Sequence, residues 1–284
     1  MLIKEALSLA TEELESFSSK QLEARILLSY ALNITQETLL INYNEEITEN
    51  EKLSFFKYIE RRKSFEPIAY ILEKKEFYGM DFFVDQNVLI PRPDTEILVD
   101  EVILEYKKKF PDKEITILDL GTGSGAIAVS LATVIPLSKI TATDVLDEVL
   151  KIATKNAISN SIAAQIEFIQ SNWYSNLSNN KFDFIVSNPP YINSADKSYM
   201  SQETLLYEPQ DALFADDNGL INYNEIISGA TSFLNLGGKI FLEIGFNQSK
   251  AVVSILEKYH FTEITIVQDL SGQDRIIKAT HLYE

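Results

Sequence analysis

From residue 114 onward, β-branched and aromatic runs alternate with helical stretches, and this alternation restricts the fold more than any other feature of the chain. The strand-like runs are "ITILDL", "KITATDV", "QIEFIQS", "FDFIVSN", "GGKIFLEIG", "FTEITIVQD" and "RIIKATHL". Stretches such as "GAIAVSLATV" and "DEVLKIATKNAI" separate most of them and carry apolar residues at helical spacing. Strands joined through helices pair in parallel, because a parallel crossover needs a dozen or more residues. Only "LSGQD" separates the last two runs, so the final strand is expected to run antiparallel. The expectation is an α/β domain over residues 91–284, a seven-stranded, mostly parallel sheet covered on both faces.

Residues 1–73 show no strand alternation and read as a small, separate helical domain. In "SSKQLEARILLSYAL", Ser18 stands three residues before Gln21, the spacing of a capping box. Pro67 suits the first turn of a helix over "EPIAYILEK". The aromatic and β-branched segment around Gly79, within residues 74–90, reads as a hairpin linker.

Composition removes several chemistries. There is no Cys, which excludes disulfides and thiolates, and the two His, His260 and His281, are too few for a His-based metal site or triad. A formal charge of −17 opposes a phosphate backbone unless basic residues cluster. The two basic runs, Arg61–Lys63 and Lys107–Lys109, read as solvated helix faces. No apolar run is long enough for a bilayer, and the acidic, mixed N-terminus does not resemble a leader. A cytoplasmic protein without membrane or direct nucleic-acid partners is expected.

"ILDLGTGSGAIAVSLA" is the strongest local motif. A buried strand ends at Asp119, and Gly121, Thr122, Gly123, Ser124 and Gly125 lead directly into a helix, whose free N–H groups suit a carboxylate or phosphate. Gly121, Gly123 and Ala126 also satisfy the dinucleotide pattern, so the loop alone does not choose a cofactor. Asp144 ends the next strand, where it can accept both hydroxyls of a ribose or serve as a helix cap. Trp173, the only Trp, can wall an adenine or fill core space. A nucleoside with an amino-acid tail, such as S-adenosylmethionine, fits these places.

The fourth strand runs into "SNPPYI". Asn188 brings a side-chain carbonyl, while Pro189 and Pro190 bring backbone carbonyls without competing N–H groups. Two such acceptors match the two donors of a planar NH2 group, and Tyr191 can cover its plane. Gripping both hydrogens orients the nitrogen for in-line attack and disperses the charge it gains. A carboxylate lacks those donors and is rejected.

"DLGTGSG", Asp144 and "NPPYI" together resemble a class I, Rossmann-like methyltransferase acting on planar nitrogen. "RRKSFEPIAYILEKKEFYGMDFFVDQNVLIPRPDTE", "LLYEPQDALFADDNGLINY", "LEIGFNQ" and "QDLSGQDRIIKA" resemble the HemK/PrmC family, which methylates a glutamine of peptide chain release factors. The resemblance implies that Gly121–Gly125, Asp144, Trp173 and Asn188 bind S-adenosylmethionine. It implies that Asn188, Pro189, Pro190 and Tyr191 hold the glutamine of a Gly-Gly-Gln tip, with the helical domain recognising the factor's body. Separately, a monomer is expected. Two positions depart from the family: Asn172 stands where Asp is frequent, and Glu73 where Gly is usual, so a positive φ is not expected at Glu73. Glutamine methylation of a ribosomal protein, adenine-N6 methylation of DNA, a nicotinamide dehydrogenase and a non-catalytic binding protein are the alternatives.

Overall fold

The computed structural model describes residues 1–178 and 180–282, which divide into two compact units. Residues 1–74 and 201–207 form the first unit. Its helices are α1 (Ile3–Glu13), α2 (Lys20–Ala31), α3 (Gln36–Ile41), α4 (Glu49–Lys63) and α5 (Ile68–Ile71). They close around Leu14, Leu27, Leu28, Leu39, Phe55 and Ile59, all fully buried.

Four details of this unit differ from expectation. Ser18 does not cap α2: Ser19 precedes the first turn, and its side chain makes no capping bond. A reciprocal capping box opens α4 instead, where Thr48 Oγ1 accepts from the Glu51 amide at 3.3 Å and Glu51 accepts from the Thr48 amide at 2.7 Å. Pro67 sits ahead of the first turn with an extended ψ of 137°, so α5 begins at Ile68. Glu73 does adopt a positive φ, 52°. Its amide bonds the Tyr70 carbonyl and the Lys74 amide that of Ala69, a Schellman closure that demands a left-handed residue.

The fourth difference lies in the basic run of α4, where Lys63 is exposed as expected but Arg61 and Arg62 are not solvated. Arg62 is buried, donating to Glu23 at 2.7 Å and to Glu203, on the helix Gln202–Tyr207, at 2.8 Å. Arg61 forks onto Glu66 at 2.7 and 2.5 Å. A guanidinium enters a core only when paired, and partners 39 and 141 residues away cannot be read from local charge.

The second unit starts with the hairpin β1 (Lys75–Phe77) and β2 (Met80–Phe82), which turns through Tyr78 and Gly79, both left-handed. Phe77 and Phe82 are buried in the core of the sheet domain. The helix α6 (Glu96–Lys109) follows, with Lys107–Lys109 exposed in its last turn as expected. Then come β3 (Ile115–Leu120), α7 (Ala126–Val134), β4 (Ser138–Asp144), α8 (Asp147–Ser159), β5 (Ile166–Gln170) and β6 (Phe182–Ser187). Two short parallel strands, β7 (Ile192–Asn193) and β8 (Phe214–Ala215), flank residues of the first unit in the chain and had no signal in the sequence. The sheet is completed by β9 (Leu234–Glu243), β10 (Phe261–Gln268) and β11 (Asp274–His281).

Seven strands pair in the order β10-β11-β9-β6-β3-β4-β5. All pairs are parallel except those of β11, which runs antiparallel between β9 and β10. Alternation along β3 feeds both faces. Ile115 and Ile117 join the core under α6, α7 and α8, while Leu118 and Leu120 join the core under the helices Ile221–Phe233 and Ser249–Lys258. From β3 the chain builds outward through β4 and β5, then returns to lay β6 on the other side of β3. That reversal opens a crevice beyond the carboxyl ends of β3 and β6.

Candidate active site

A cavity of about 560 Å3 occupies the crevice, lined by residues of the second unit only. The glycine loop after β3 forms its floor. Gly121 and Gly123 hold φ of 71° and 56°, and Gly121 lies against the Trp173 ring. Gly125 does a different job: a Cβ there would lie 3.1 Å from the Ala153 Cβ, so it lets α7 meet α8 closely and does not line the cavity. Thr122 and Ser124 do line it.

Asp144, at the end of β4, reaches the same space. Its Oδ2 accepts from the Gly123 amide at 3.1 Å and its Oδ1 from the Leu146 amide at 3.3 Å. Burial raises its pKa above the ordinary carboxylate value, against the pull of those N–H groups. Val145 and Leu146 follow, large apolar side chains left half-exposed beside Trp173 and Asn172 on the cavity wall. Neither is among the expected site residues; their one signal in the sequence is a pair of adjacent apolar residues after a strand-terminal Asp.

The Asn-Pro-Pro-Tyr turn closes the far side. Ser187 Oγ donates to the Leu120 carbonyl at 2.7 Å and joins the ends of β6 and β3. Asn188 Nδ2 donates to Thr95 Oγ1 at 3.1 Å. Asn188 and Pro190 line the cavity, whereas Pro189 is buried and neither it nor Tyr191 forms the wall. Two carbonyls of the turn are already engaged, Pro190 by the Asn222 amide at 2.8 Å and Tyr191 by Gln248 at 2.9 Å. No donor among the described residues bonds the Pro189 carbonyl. The Tyr191 hydroxyl donates to Glu243 at 3.3 Å, so this ring is anchored away from the wall.

Two buried carboxyls lie behind the site, and neither was assigned a role from the sequence, although Asp119 ends the strand before the glycine loop and Glu243 belongs to "LEIGFNQ". Asp119 accepts from the Thr122 hydroxyl at 2.7 Å, and its buried Oδ1 has no hydrogen-bond partner among the described residues. Burial, aided by the charge of Asp144, pushes it up to about 7. Glu243, at the end of β9, is likewise pushed up to about 7 by burial. Both look like core strand residues in sequence, because their neighbours are aliphatic.

The lining chemistry discriminates between cofactors. Carboxylates of Asp144, Asp211, Asp216 and Glu225 face the cavity, and its one basic residue, Arg92, is paired with Glu208 at 2.5 Å. Such a wall repels a dinucleotide's pyrophosphate and accepts a sulfonium with an ammonium tail. The residues present therefore fit S-adenosylmethionine.

A switch-point crevice in this sheet, floored by a glycine loop and faced by an Asn-Pro-Pro-Tyr turn, defines a Rossmann-like class I methyltransferase. The methyltransferase small domain model matches residues 95–223, and the PrmC N-terminal domain model matches residues 5–72. The chain is similar to the release factor glutamine methyltransferase of Francisella tularensis subsp. tularensis, 43% identical over 96% of this chain and 95% of that one. It is also similar to the bifunctional methyltransferase of Rickettsia felis, 42% identical over 97% of this chain, and spans 57% of that relative's length. A solved methyltransferase from Pyrococcus furiosus shares the fold, with a TM-score of 0.53 at 19% identity over 80% of this chain and 98% of that one. The chain belongs to the release factor glutamine methyltransferase family.

Proposed function

We propose that this chain methylates the side-chain amide nitrogen of the glutamine in the Gly-Gly-Gln motif of peptide chain release factors, using S-adenosylmethionine. The observation that carries the reading is the hydrogen bonding of the Asn-Pro-Pro-Tyr turn. Asn188 spends its NH2 on Thr95 while the Pro190 and Tyr191 carbonyls are held by Asn222 and Gln248. The acceptors left for a planar NH2 are Asn188 Oδ1 and the Pro189 carbonyl. Membership of the family supplies the substrate.

Gly121–Ser124 and Asp144 would hold the cofactor's amino-acid tail and ribose, with Trp173, Val145, Leu146 and Asn172 around the adenine. When bound, the cofactor supplies an electrophilic methyl on a positively charged sulfur. Asn188 and Pro189 hold the two hydrogens of the glutamine NH2 and fix the nitrogen in line with that methyl. As the C–N bond forms and the C–S bond breaks, the nitrogen gains positive charge, and both hydrogen bonds strengthen. One hydrogen then leaves as a proton to water, which gives the N-methyl amide. Orientation of this kind supplies up to roughly 7–11 kcal/mol in favourable cases. A glutamate meets the same acceptors with negative charge and is refused.

We infer that the first unit binds the body of the factor. It carries apolar side chains in solvent, Ile41 at 83% exposure and Leu53 at 74%, which suit a protein surface. No helix among the described residues is long and apolar enough to cross a membrane.

Mass spectrometry of a purified release factor, incubated with the protein and S-adenosylmethionine, tests the proposal. One added methyl on the Gly-Gly-Gln glutamine, absent with Asn188→Ala, is expected. Methyl transfer to a ribosomal protein or to DNA adenine, with none on the factor, would overturn it.

A further inference from the structure

Asn156, on α8, does not line the cavity, yet it holds the main chain behind two of the cavity's sides. Its side chain is fully buried. Oδ1 accepts from the Phe83 amide at 2.7 Å, and Nδ2 donates to the Phe83 carbonyl at 2.9 Å and to the Ser124 carbonyl at 2.8 Å. One N–H opposite Oδ1 and two carbonyls opposite Nδ2 fix the direction of the amide. An Asp of the same shape has no donor for either carbonyl, and a Leu has no partner for any of the three groups.

The first of those sides is the glycine loop. Asn156 holds the oxygen of the Ser124–Gly125 peptide, while the N–H of the same peptide donates to the Thr122 carbonyl at 2.9 Å. That peptide plane is therefore fixed at both ends, directly before the first N–H groups of α7. Gly125 allows the reach. Ala153 stands one turn before Asn156 on α8, and its Cβ lies 3.1 Å from where a Cβ on Gly125 would be, so a side chain there would hold the helix off. The second side begins at Phe83, directly after β2. Farther along this segment Asn87, Val88, Leu89, Pro91 and Arg92 line the cavity. Glu208 holds the far end of the segment through the Ile90 amide at 3.1 Å, and Asn156 holds the near end.

Resting on the reading of that loop as the seat of the S-adenosylmethionine tail, we propose that Asn156 is a positioning residue for the cofactor, its one buried amide joining the glycine loop to the wall segment that starts at Phe83. Without it the Ser124 carbonyl and both main-chain groups of Phe83 lose their partner, and the Ser124–Gly125 peptide can turn out of the plane that aims the start of α7 at the tail. The coupling is reciprocal, so a ligand that fixes the loop also steadies the Phe83 end of the wall. Asn160, one turn farther along the chain, provides a contrast. Its amide donates to the Asp81 carbonyl at 3.2 Å and to the Asn156 carbonyl at 2.9 Å, which ties α8 to the same hairpin but not to the loop.

The test titrates S-adenosylmethionine by calorimetry into full-length wild type, Asn156→Ala, Asn156→Asp and Asn160→Ala, each first shown to be folded by circular dichroism. Asn156→Ala is expected to raise the dissociation constant by about 10- to 100-fold, the worth of hydrogen bonds left unmade. Asn160→Ala loses stability but keeps the wild-type affinity. Equal affinities in wild type and Asn156→Ala, or an equal loss in Asn160→Ala, would overturn the inference. Asn156→Asp keeps the acceptor for Phe83 and loses both donors; it is expected to weaken binding on the same scale, and it decides the matter where Asn156→Ala does not fold. Hydrogen exchange of the wild type needs no variant. With cofactor at about 100 times its dissociation constant, exchange of the Phe83 amide is expected to slow by about tenfold more than that of the β10 amides at the far edge of the sheet. Equal slowing at both would overturn the inference. Inactivity of the wild type on release factors counts against the proposed function alone, because cofactor binding decides the role of Asn156, whereas a wild type that binds no S-adenosylmethionine overturns both.

Discussion

The side-chain amide of Asn222 donates to the carbonyl oxygen of Pro190 at 2.8 Å, which fastens the second proline of the turn to the helix Ile221–Phe233. Gln248 does the same for the next residue, through the Tyr191 carbonyl at 2.9 Å. Gly219 makes room for this arrangement, since a Cβ there would lie 2.1 Å from the Tyr191 oxygen. The turn is thus held from behind by two neutral amides, and its front is left to acceptors.

Asn222→Ala removes one of these fastenings without touching the cofactor loop. A drop in kcat of about tenfold is expected, with the affinity for S-adenosylmethionine unchanged, because the loss is one of orientation. Steady-state kinetics beside a cofactor titration separates the two. An effect on cofactor affinity alone would contradict the assignment.

Asp144→Ala should act in the opposite sense. Under the proposed function Asp144 accepts from the ribose, so its removal is expected to weaken cofactor binding by roughly 10- to 100-fold, the worth of hydrogen bonds to a charged group. Turnover at saturating cofactor changes far less. Calorimetric titration gives the answer, and an unchanged dissociation constant would take Asp144 out of this role.

Asp119 links the site to stability. Its folded-state carboxyl sits at about 7, against an ordinary 3.8, chiefly because it is buried. The folded protein therefore binds this proton more tightly than the unfolded chain does. Stability associated with the group is lost as pH rises from about 4 to 7, a cost on the order of 4 kcal/mol above that range. Asp119→Asn should stabilise the protein more at pH 8 than at pH 5. Urea unfolding at the two pH values measures it, and an equal or smaller gain at pH 8 would refute the burial of a charged Asp119.

Glu73 is held left-handed, at φ 52°, by the closure of α5. A side chain in that region costs about 1 kcal/mol or more, partly offset by the greater freedom of an unfolded Gly. Glu73→Gly should stabilise the chain by about 0.5–1 kcal/mol in denaturant unfolding.

The sequence alone determined the seven strand segments and the antiparallel sense of the last one, and it singled out the glycine loop, Asp144 and Asn188, which line one cavity. These are local matters: a period of two or of 3.6, a crossover too short to be parallel, a backbone that needs positive φ after β3. The sequence also carried the family, through motifs that are contiguous.

What only the tertiary structure decided is which atoms are free. Pro190 looked like an acceptor until Asn222 met its carbonyl, and Tyr191 looked like a lid until its hydroxyl met Glu243. Arg62 looked solvated until Glu23 and Glu203 enclosed it. Thr95 lies in a stretch that resembles the family, yet nothing local places its hydroxyl against Asn188, 93 residues along the chain. A hydrogen bond is satisfied by geometry and by the absence of water, and both are set by segments that a linear pattern cannot bring together.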